Sequence, residues 1–211
     1  MSTMAENESA ARSLHQRKAM LRTAVLAERD ALPLPLRKER SRAIVGAITE
    51  LPGFRGARSV LLTSSFGSEV ETGELIARTL ASGKTLLLPR VNKESRMLEL
   101  YGIADPESQL ARGTYGIAEP RPERCRCAAY GEVDWVLVPG VVYADDGFWI
   151  GYGGGYYDRL LPLLPAATPR VSAAFQLQRR HEVPHGVHDQ KIGMVVTESG
   201  VYRVGAPEPA R

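Results

Sequence analysis

Cysteine is almost missing from this 211-residue chain. Cys125 and Cys127 are the only two, one residue apart in Arg124-Cys125-Arg126-Cys127. That spacing is poor for a disulfide, and no second pair exists to complete a zinc site. Two loop thiols in a reducing compartment account for them, and the flanking arginines could lower their pKa. Long apolar runs are missing as well. No stretch reaches about 18 residues, so no transmembrane helix is expected. The polar, acidic start from Met1 to Ala11 has no signal-peptide apolar core. A cytoplasmic protein is therefore expected. An excess of charge is lacking too: 27 basic residues face 24 acidic ones, for a net charge of +3. That balance gives no reason to expect a nucleic-acid or membrane partner, but it suits a site that receives anions.

What is present is a 44% apolar, 24% charged composition in the globular range. A chain of this size buries roughly 70% of its unfolded surface and needs no staples. Ser9 or Ser13 could cap a first helix running to about Asp30, with Leu14, Leu21 and Val25 on one stripe and Arg12, Arg17, Lys18, Arg22 and Arg29 on the other face. Pro33 and Pro35 break the chain. A second helix turns Ile44, Ala47, Ile48 and Leu51 inward and ends near Pro52-Gly53. The period then changes. Residues 59–66, 84–91, 97–101, 134–139, 170–175 and 194–197 read as strands, and residues 141–143 continue extended. Thr72 can cap a helix from Gly73 to about Ser82, with Gly83 as its stop. Asp105-Pro106 starts a helical turn, and residues 156–164 read as a helix.

Strands that alternate with helices, several of them apolar on both faces, predict an α/β fold. We expect an open, mostly parallel sheet with helices on both faces, a Rossmann-like three-layer sandwich. Residues 12–204 form one domain in this reading. Residues 1–11 and the tail 205–211, with Pro207 and Pro209, are expected to be disordered. The stretch from Pro120 to Arg126 reads as a surface loop.

The most informative segment lies between a buried strand and a predicted helix. It runs Asp145-Asp146-Gly147-Phe148-Trp149-Ile150-Gly151-Tyr152-Gly153-Gly154-Gly155-Tyr156-Tyr157-Asp158-Arg159-Leu160. Glycines at 151, 153, 154 and 155 allow positive φ and a close approach to a ligand. A helix starting after them would aim free N–H groups at the loop, a geometry that binds phosphate. In an open α/β sheet this site belongs at the carboxyl ends of the strands. The loop is neither a Walker A motif nor a correctly spaced dinucleotide fingerprint. Asp158, in the first helical turn, either complements the helix dipole or holds Mg²⁺ against phosphates. The adjacent tyrosines, Tyr152, Tyr156 and Tyr157, are placed to pack a planar ligand.

Val138-Pro139-Gly140 followed by residues 151–159 (GYGGGYYDR) closely resembles the signature of the 5-formyltetrahydrofolate cyclo-ligase family, also called 5,10-methenyltetrahydrofolate synthetase. Other pieces follow in the family's order: residues 18–22 (KAMLR), 66–72 (FGSEVET), 88–91 (LPRV), 115–120 (YGIAEP) and His188-Asp189. The resemblance spans about Arg17 to Glu198. It implies an ATP- and Mg²⁺-dependent ligase that closes 5-formyltetrahydrofolate, with or without a polyglutamate tail, to 5,10-methenyltetrahydrofolate. It also implies roles for individual residues. Lys18 and Arg22, i and i+4 on one helix face, would contact ATP phosphates and act in catalysis with Tyr157; a solvated basic face is the alternative. Trp149, Ile150, Gly151, Tyr152, Gly153, Gly154, Gly155, Tyr156 and Tyr157 would form the ATP loop. Tyr152 to Tyr156 would also face the folate, together with Ser64, Glu69 and Arg90. Glu69 could otherwise serve as a dipole partner for the helix after Thr72. Asp158 and Asp189 would hold the metal. The family often has a basic residue where this chain has Trp149, whose indole could instead stack on a flat ring. A monomer is expected.

Competing readings are a folate-sequestering protein without turnover and an RNA-associated protein using the basic first helix. Retention of Lys18, Arg22, Asp158 and Asp189 argues against the first, and no RNA-recognition motif supports the second. His181, His185 and His188 read as surface-loop histidines in preference to zinc ligands, because Pro184 interrupts their spacing.

Overall fold

The computed structural model describes residues 2–113 and 116–205, and side chains from residue 13 onward. The expectation for the tail falls almost wholly outside the described residues. In chain order the helices are α1 (Ser2–Asp30), α2 (Leu34–Glu50), α3 (Pro52–Gly56), α4 (Gly73–Ala81), α5 (Pro106–Gln109) and α6 (Tyr156–Leu160). The strands are β1 (Ser59–Leu61), β2 (Thr85–Asn92), β3 (Met97–Ile103), β4 (Leu110–Arg112), β5 (Ala118–Pro120), β6 (Arg126–Ala128), β7 (Trp135–Leu137), β8 (Val142–Ala144), β9 (Trp149–Ile150), β10 (Arg170–Ala173), β11 (Arg179–Arg180), β12 (Met194–Thr197) and β13 (Gly200–Arg203).

Eight strands form the main sheet in the order β13-β12-β10-β7-β1-β2-β3-β6. Its centre, from β12 to β2, is parallel. The antiparallel pairs lie at the edges: β12 with β13, β2 with β3, and β3 with β6. The expected open, mostly parallel α/β sheet is therefore what forms. Side-chain alternation explains its two apolar faces. Val60, Leu62, Leu86, Leu88, Trp135 and Leu137 point to one face and meet Ile44, Ile48, Phe54 and Leu75 of α2, α3 and α4. Leu61, Leu87, Val136 and Val138 point to the other and meet Leu160, Leu161 and Leu164. Each such aliphatic side chain, fully buried, contributes about 1.5–3 kcal/mol.

From β1 the chain moves outward through β2 and β3, but β7, β10 and β12 add on β1's other side. The order therefore reverses between β1 and β7, and the crevice beyond their carboxyl ends is where ligands bind in such sheets. A small sheet, β11-β8-β9, follows directly from the end of β7. Helix α1 packs on it, with Val25 fully buried among Val141, Val142, Ala144, Ile150 and Val183. Among the described residues no helix is long and apolar enough to cross a membrane.

Several local expectations are corrected. Helix α1 starts at Ser2, ahead of both expected caps. The strand expected over 59–66 stops at Leu61, because the chain must turn at the crevice. Thr72 does not cap α4 with its side chain. Its hydroxyl instead donates to the Thr63 carbonyl and accepts from the Ser65 N–H, closing the loop between β1 and α4. The helix expected through Leu164 ends at Leu160 and passes into a 3₁₀ turn, Leu161–Leu163, because Pro162 has no N–H to continue it. The stretch from Pro120 to Arg126 is, as expected, a mostly exposed connection, and it links β5 to β6 through a 3₁₀ turn at Pro122–Arg124. Burial raises the Cys125 thiol, opposite to the lowering its arginine neighbours suggested.

Candidate active site

The crevice at the strand-order reversal is lined by Thr63, Leu137, Val138, Pro139, Gly140 and Ala173, all just after or at the carboxyl ends of β1, β7 and β10. Arg29, Glu69, Val70, Thr72 and Gln178 complete it. Pro139-Gly140 must pass close beneath β9. A Cβ on Gly140 would lie 2.7 Å from Trp149 Cδ1 and 3.0 Å from the Tyr143 hydroxyl. Gln178, buried, donates to the Val141 carbonyl at 3.0 Å and accepts from the Phe175 N–H, which fixes the floor.

Helix α1 delivers cations to this edge. Successive residues turn about 100° around a helix axis, so Lys18, Arg22 and Arg29 fall beside Val25 rather than opposite it. Of the basic residues expected on the face opposite Leu14, Leu21 and Val25, these three therefore lie on the same side as Val25. Lys18 pairs with the Asp189 carboxylate, and each of those side chains retains only about a fifth of its exposure. Arg22 donates from Nε to the Gly151 carbonyl at 2.7 Å, and burial lowers its pKa. Arg29, expected on the outer face, is 2% exposed. It donates to Ser68 Oγ at 2.9 Å and to the Tyr152 hydroxyl at 3.1 Å.

The glycine loop carries the positive φ expected of it, +97° at Gly153 and +65° at Gly155. Arg159 braces it by donating to the carbonyls of Gly154 at 2.9 Å and Arg96 at 2.8 Å while lying over the Tyr156 ring. That bond ties the loop to the turn between β2 and β3. Arg90 sits on β2 opposite Glu99, before that turn. Trp149 and Ile150, 6% and 2% exposed, are packed into the core. They have no side-chain surface for a nucleotide and can approach one only through their backbone. Trp149 does not stack on a flat ring from this position.

Tyr152 and Glu69 face each other across the crevice. The Tyr152 hydroxyl donates to Glu69 Oε1 at 2.7 Å, and the Phe66 N–H donates to Oε2 at 3.0 Å. Burial raises the Glu69 carboxyl above its ordinary range, against the opposing pull of these two hydrogen bonds and the Arg29 charge. The Phe66 and Tyr152 rings lie 4.9 Å apart, forming an aromatic wall. Ser64 is half-buried in the same loop. Burial also raises the Tyr157 phenol. Its hydroxyl lies beside Thr63, and no hydrogen bond of ordinary geometry closes on it. Such a phenol stays neutral at ordinary pH and acts as a donor, not a base.

Asp158 and Asp189 are brought into one neighbourhood. Asp158 Oδ1 accepts from the Gln190 N–H at 3.2 Å, directly beside Asp189, whose Oδ2 accepts from the Gly186 N–H. Among the described residues no group of three or more His, Cys, Asp or Glu is placed to hold a metal. Two carboxylates with oxygen donors nonetheless fit Mg²⁺, which takes one or two carboxylates and completes its shell with phosphate and water. His181, His185 and His188 are all exposed, and His185 stacks on Phe148 at 3.6 Å.

The architecture defines the class: an α/β protein with a crevice at the reversal point of its sheet, where α1 meets the glycine loop through Arg22 and Arg29 and pairs Lys18 with Asp189. The chain belongs to the 5-formyltetrahydrofolate cyclo-ligase family, whose model matches residues 14–198. Members of that family are ligases. The 5-formyltetrahydrofolate cyclo-ligase of Mycolicibacterium smegmatis is 28% identical over 183 residues, covering 85% of this chain and 93% of that protein. The Escherichia coli K12 enzyme of the same name is 29% identical over 147 residues, covering 69% and 81%. The NMR structure of Aquifex aeolicus 5,10-methenyltetrahydrofolate synthetase superposes with a TM-score of 0.79 at 30% identity, covering 92% of this chain and 96% of that one.

Sequence reasoning missed Arg29, Ser68 and Gln178. The signal for Arg29 was its spacing from Lys18 and Arg22, which repeats the helical period; an arginine near a helix end reads as solvated until its neighbours are known.

Proposed function

We propose that this protein closes 5-formyltetrahydrofolate to 5,10-methenyltetrahydrofolate at the expense of ATP. The observation that carries the reading is the convergence of Lys18 and Arg22 of α1 with the 151–155 loop and Asp189. It gathers cations, backbone N–H groups and carboxylates, the groups that phosphoryl transfer uses to position and neutralise charge. An N-formyl group is a poor electrophile whose oxygen leaves badly. In the proposed sequence the formyl oxygen takes the terminal phosphoryl group, leaving ADP. N10 then attacks the activated carbon and gives up its proton to solvent, and the C–O bond breaks to release phosphate.

Each residue has a task in this scheme. Lys18 and Arg22 hold the phosphates, with the backbone of residues 149–157 around them. Asp158 and Asp189 would hold Mg²⁺, which when bound neutralises phosphate charge. Tyr157 offers its unpartnered hydroxyl to the reacting oxygen. Glu69 accepts from the amino and N–H groups of the pterin ring, between Phe66 and Tyr152. Ser64 and Arg90 border the folate, and Arg90 suits its carboxylates, including those of a polyglutamate tail. We place the protein in the cytoplasm as a monomer with no nucleic-acid or membrane partner.

The test is direct. Purified protein with 5-formyltetrahydrofolate and MgATP should produce the near-ultraviolet absorbance of the methenyl product, and omission of either ATP or Mg²⁺ should abolish it. Asp158→Ala should remove turnover. Folate binding without turnover would instead identify a sequestering protein.

A further inference from the structure

Arg29 lines the crevice beside Glu69 and is 2% exposed. Its Nε donates to Ser68 Oγ, which in turn contacts the Asp30 carboxylate, and its Nη2 donates to the Tyr152 hydroxyl. Its Nη1 is buried with no partner. A guanidinium nitrogen buried without an acceptor is costly, and on a residue that lines a crevice it marks a place for a ligand acceptor or an ordered water.

The neighbouring groups say what that partner is. Tyr152's hydroxyl lies between the two charges, accepting from Arg29 and donating to Glu69 Oε1. Each Glu69 oxygen has accepted one hydrogen bond and has capacity for another. A carboxylate able to accept two further bonds, next to a guanidinium able to give one, matches a planar edge carrying two donors and then an acceptor. The 2-amino-4-oxo ring of a reduced pterin has that edge: the amino group, N3–H and the C4 carbonyl oxygen.

We propose that Arg29 is a specificity-determining residue of the pterin pocket, its Nη1 donating to the C4 oxygen while its other nitrogens fix Tyr152 and Ser68. The proposal rests on the folate reading above. It makes Arg29 the group that distinguishes a 4-oxo ring from a 4-amino ring, since an amino group there would present a donor to a donor.

The test compares two ligands on one protein. Affinities for 5-formyltetrahydrofolate without ATP and for a 2,4-diaminopteridine analogue of folate are measured by calorimetry on wild type and on Arg29→Lys, with thermal melts to verify folding. Arg29→Lys keeps the charge but not the fork of donors. The expected result is that the preference for the 4-oxo ligand over the 4-amino ligand falls by about tenfold. A preference that stays within about twofold of wild type, whether both affinities drop together or neither moves, overturns the proposal and makes Arg29 structural. Should Arg29→Lys fail to fold, side-chain ¹⁵N spectra of wild type give the answer. The Arg29 Nη1 resonance should shift with 5-formyltetrahydrofolate and not with the diamino ligand; equal responses to both overturn the proposal. Wild type that neither binds nor turns over 5-formyltetrahydrofolate defeats the folate reading itself. Wild type that turns it over with an unmoved preference defeats only the role of Arg29.

Discussion

The Tyr152 hydroxyl donates to Glu69 Oε1 at 2.7 Å although the two residues are 83 positions apart, and this bond joins the glycine loop to the loop after β1. It means that the loop proposed to hold phosphate and the carboxylate proposed to hold the pterin are set by one contact. Tyr152→Phe should therefore lower kcat/KM for the folate by about 5–30-fold, about 1–2 kcal/mol, by leaving Glu69 short of a donor. It should also move the acid limb of the pH–rate profile to higher pH, because the lost hydrogen bond held the carboxyl down. Steady-state kinetics across pH checks both.

Glu69 also links pH to stability. Its folded pKa is raised, so the wild type is best off below the ordinary glutamate value of about 4.3 and loses stability as pH rises through the raised value. Glu69→Gln does not ionise and escapes that loss. It should melt above wild type at neutral pH, by about 2–4 °C for each kcal/mol relieved, with the difference closing as pH falls towards 4. Turnover should drop at the same time. Melting curves across pH beside an activity assay decide it.

Lys18 and Asp189 should act as a unit. Lys18→Met and Asp189→Asn are each expected to raise the KM for MgATP by about tenfold or more. The double variant should lose less than the sum, with a coupling of about 0.5–3 kcal/mol. Additive losses in the kinetic cycle would mean that the pair is not functional.

Two glycines separate packing from backbone strain. Gly140→Ala drives a methyl into Trp149 and Tyr143, both buried, and should cost about 1–3 kcal/mol. At Gly153 the added Cβ would meet only the Arg22 guanidinium at 3.5 Å, an ordinary contact, but φ is +97°. Gly153→Ala should shift the loop and lower activity more than its melting temperature. Paired melts and rates test the contrast.

Trp149→Lys should not raise phosphate affinity. The indole is 6% exposed and packed on Gly140. Its loss should destabilise the protein by about 3–5 kcal/mol, with no fall in the KM for ATP of whatever protein remains folded.

The helices and strands of the first half were legible because hydrophobic period is a local property. Ile44 and Ile48 are buried on α2 as their spacing predicts, and Leu86 to Leu88, apolar on both faces, fill a buried strand that pairs in parallel with β1. Gly83 ends α4 with φ +74°, as a glycine stop does. The short pairings were not legible. Strands β9 and β11 have two residues each and owe their conformation to neighbours far along the chain. Strand β13, an edge hairpin partner of β12, carries only a weak alternation.

For the site, the chain itself determined the glycine loop and the family signature, because these depend on residue type and order, while the fold chose Gly153 and Gly155 from its four glycines for positive φ. The chain could not determine which side of α1 is inward. Apolar and basic residues share that surface, and only packing of Val25 against β8 turns Lys18, Arg22 and Arg29 towards the crevice. The tertiary structure alone also decided that Trp149 is core, that Thr72 closes a loop in place of capping a helix, and that Arg29 retains a buried free nitrogen. Each of these turns on burial and on partners tens of residues away, which a one-dimensional pattern does not encode.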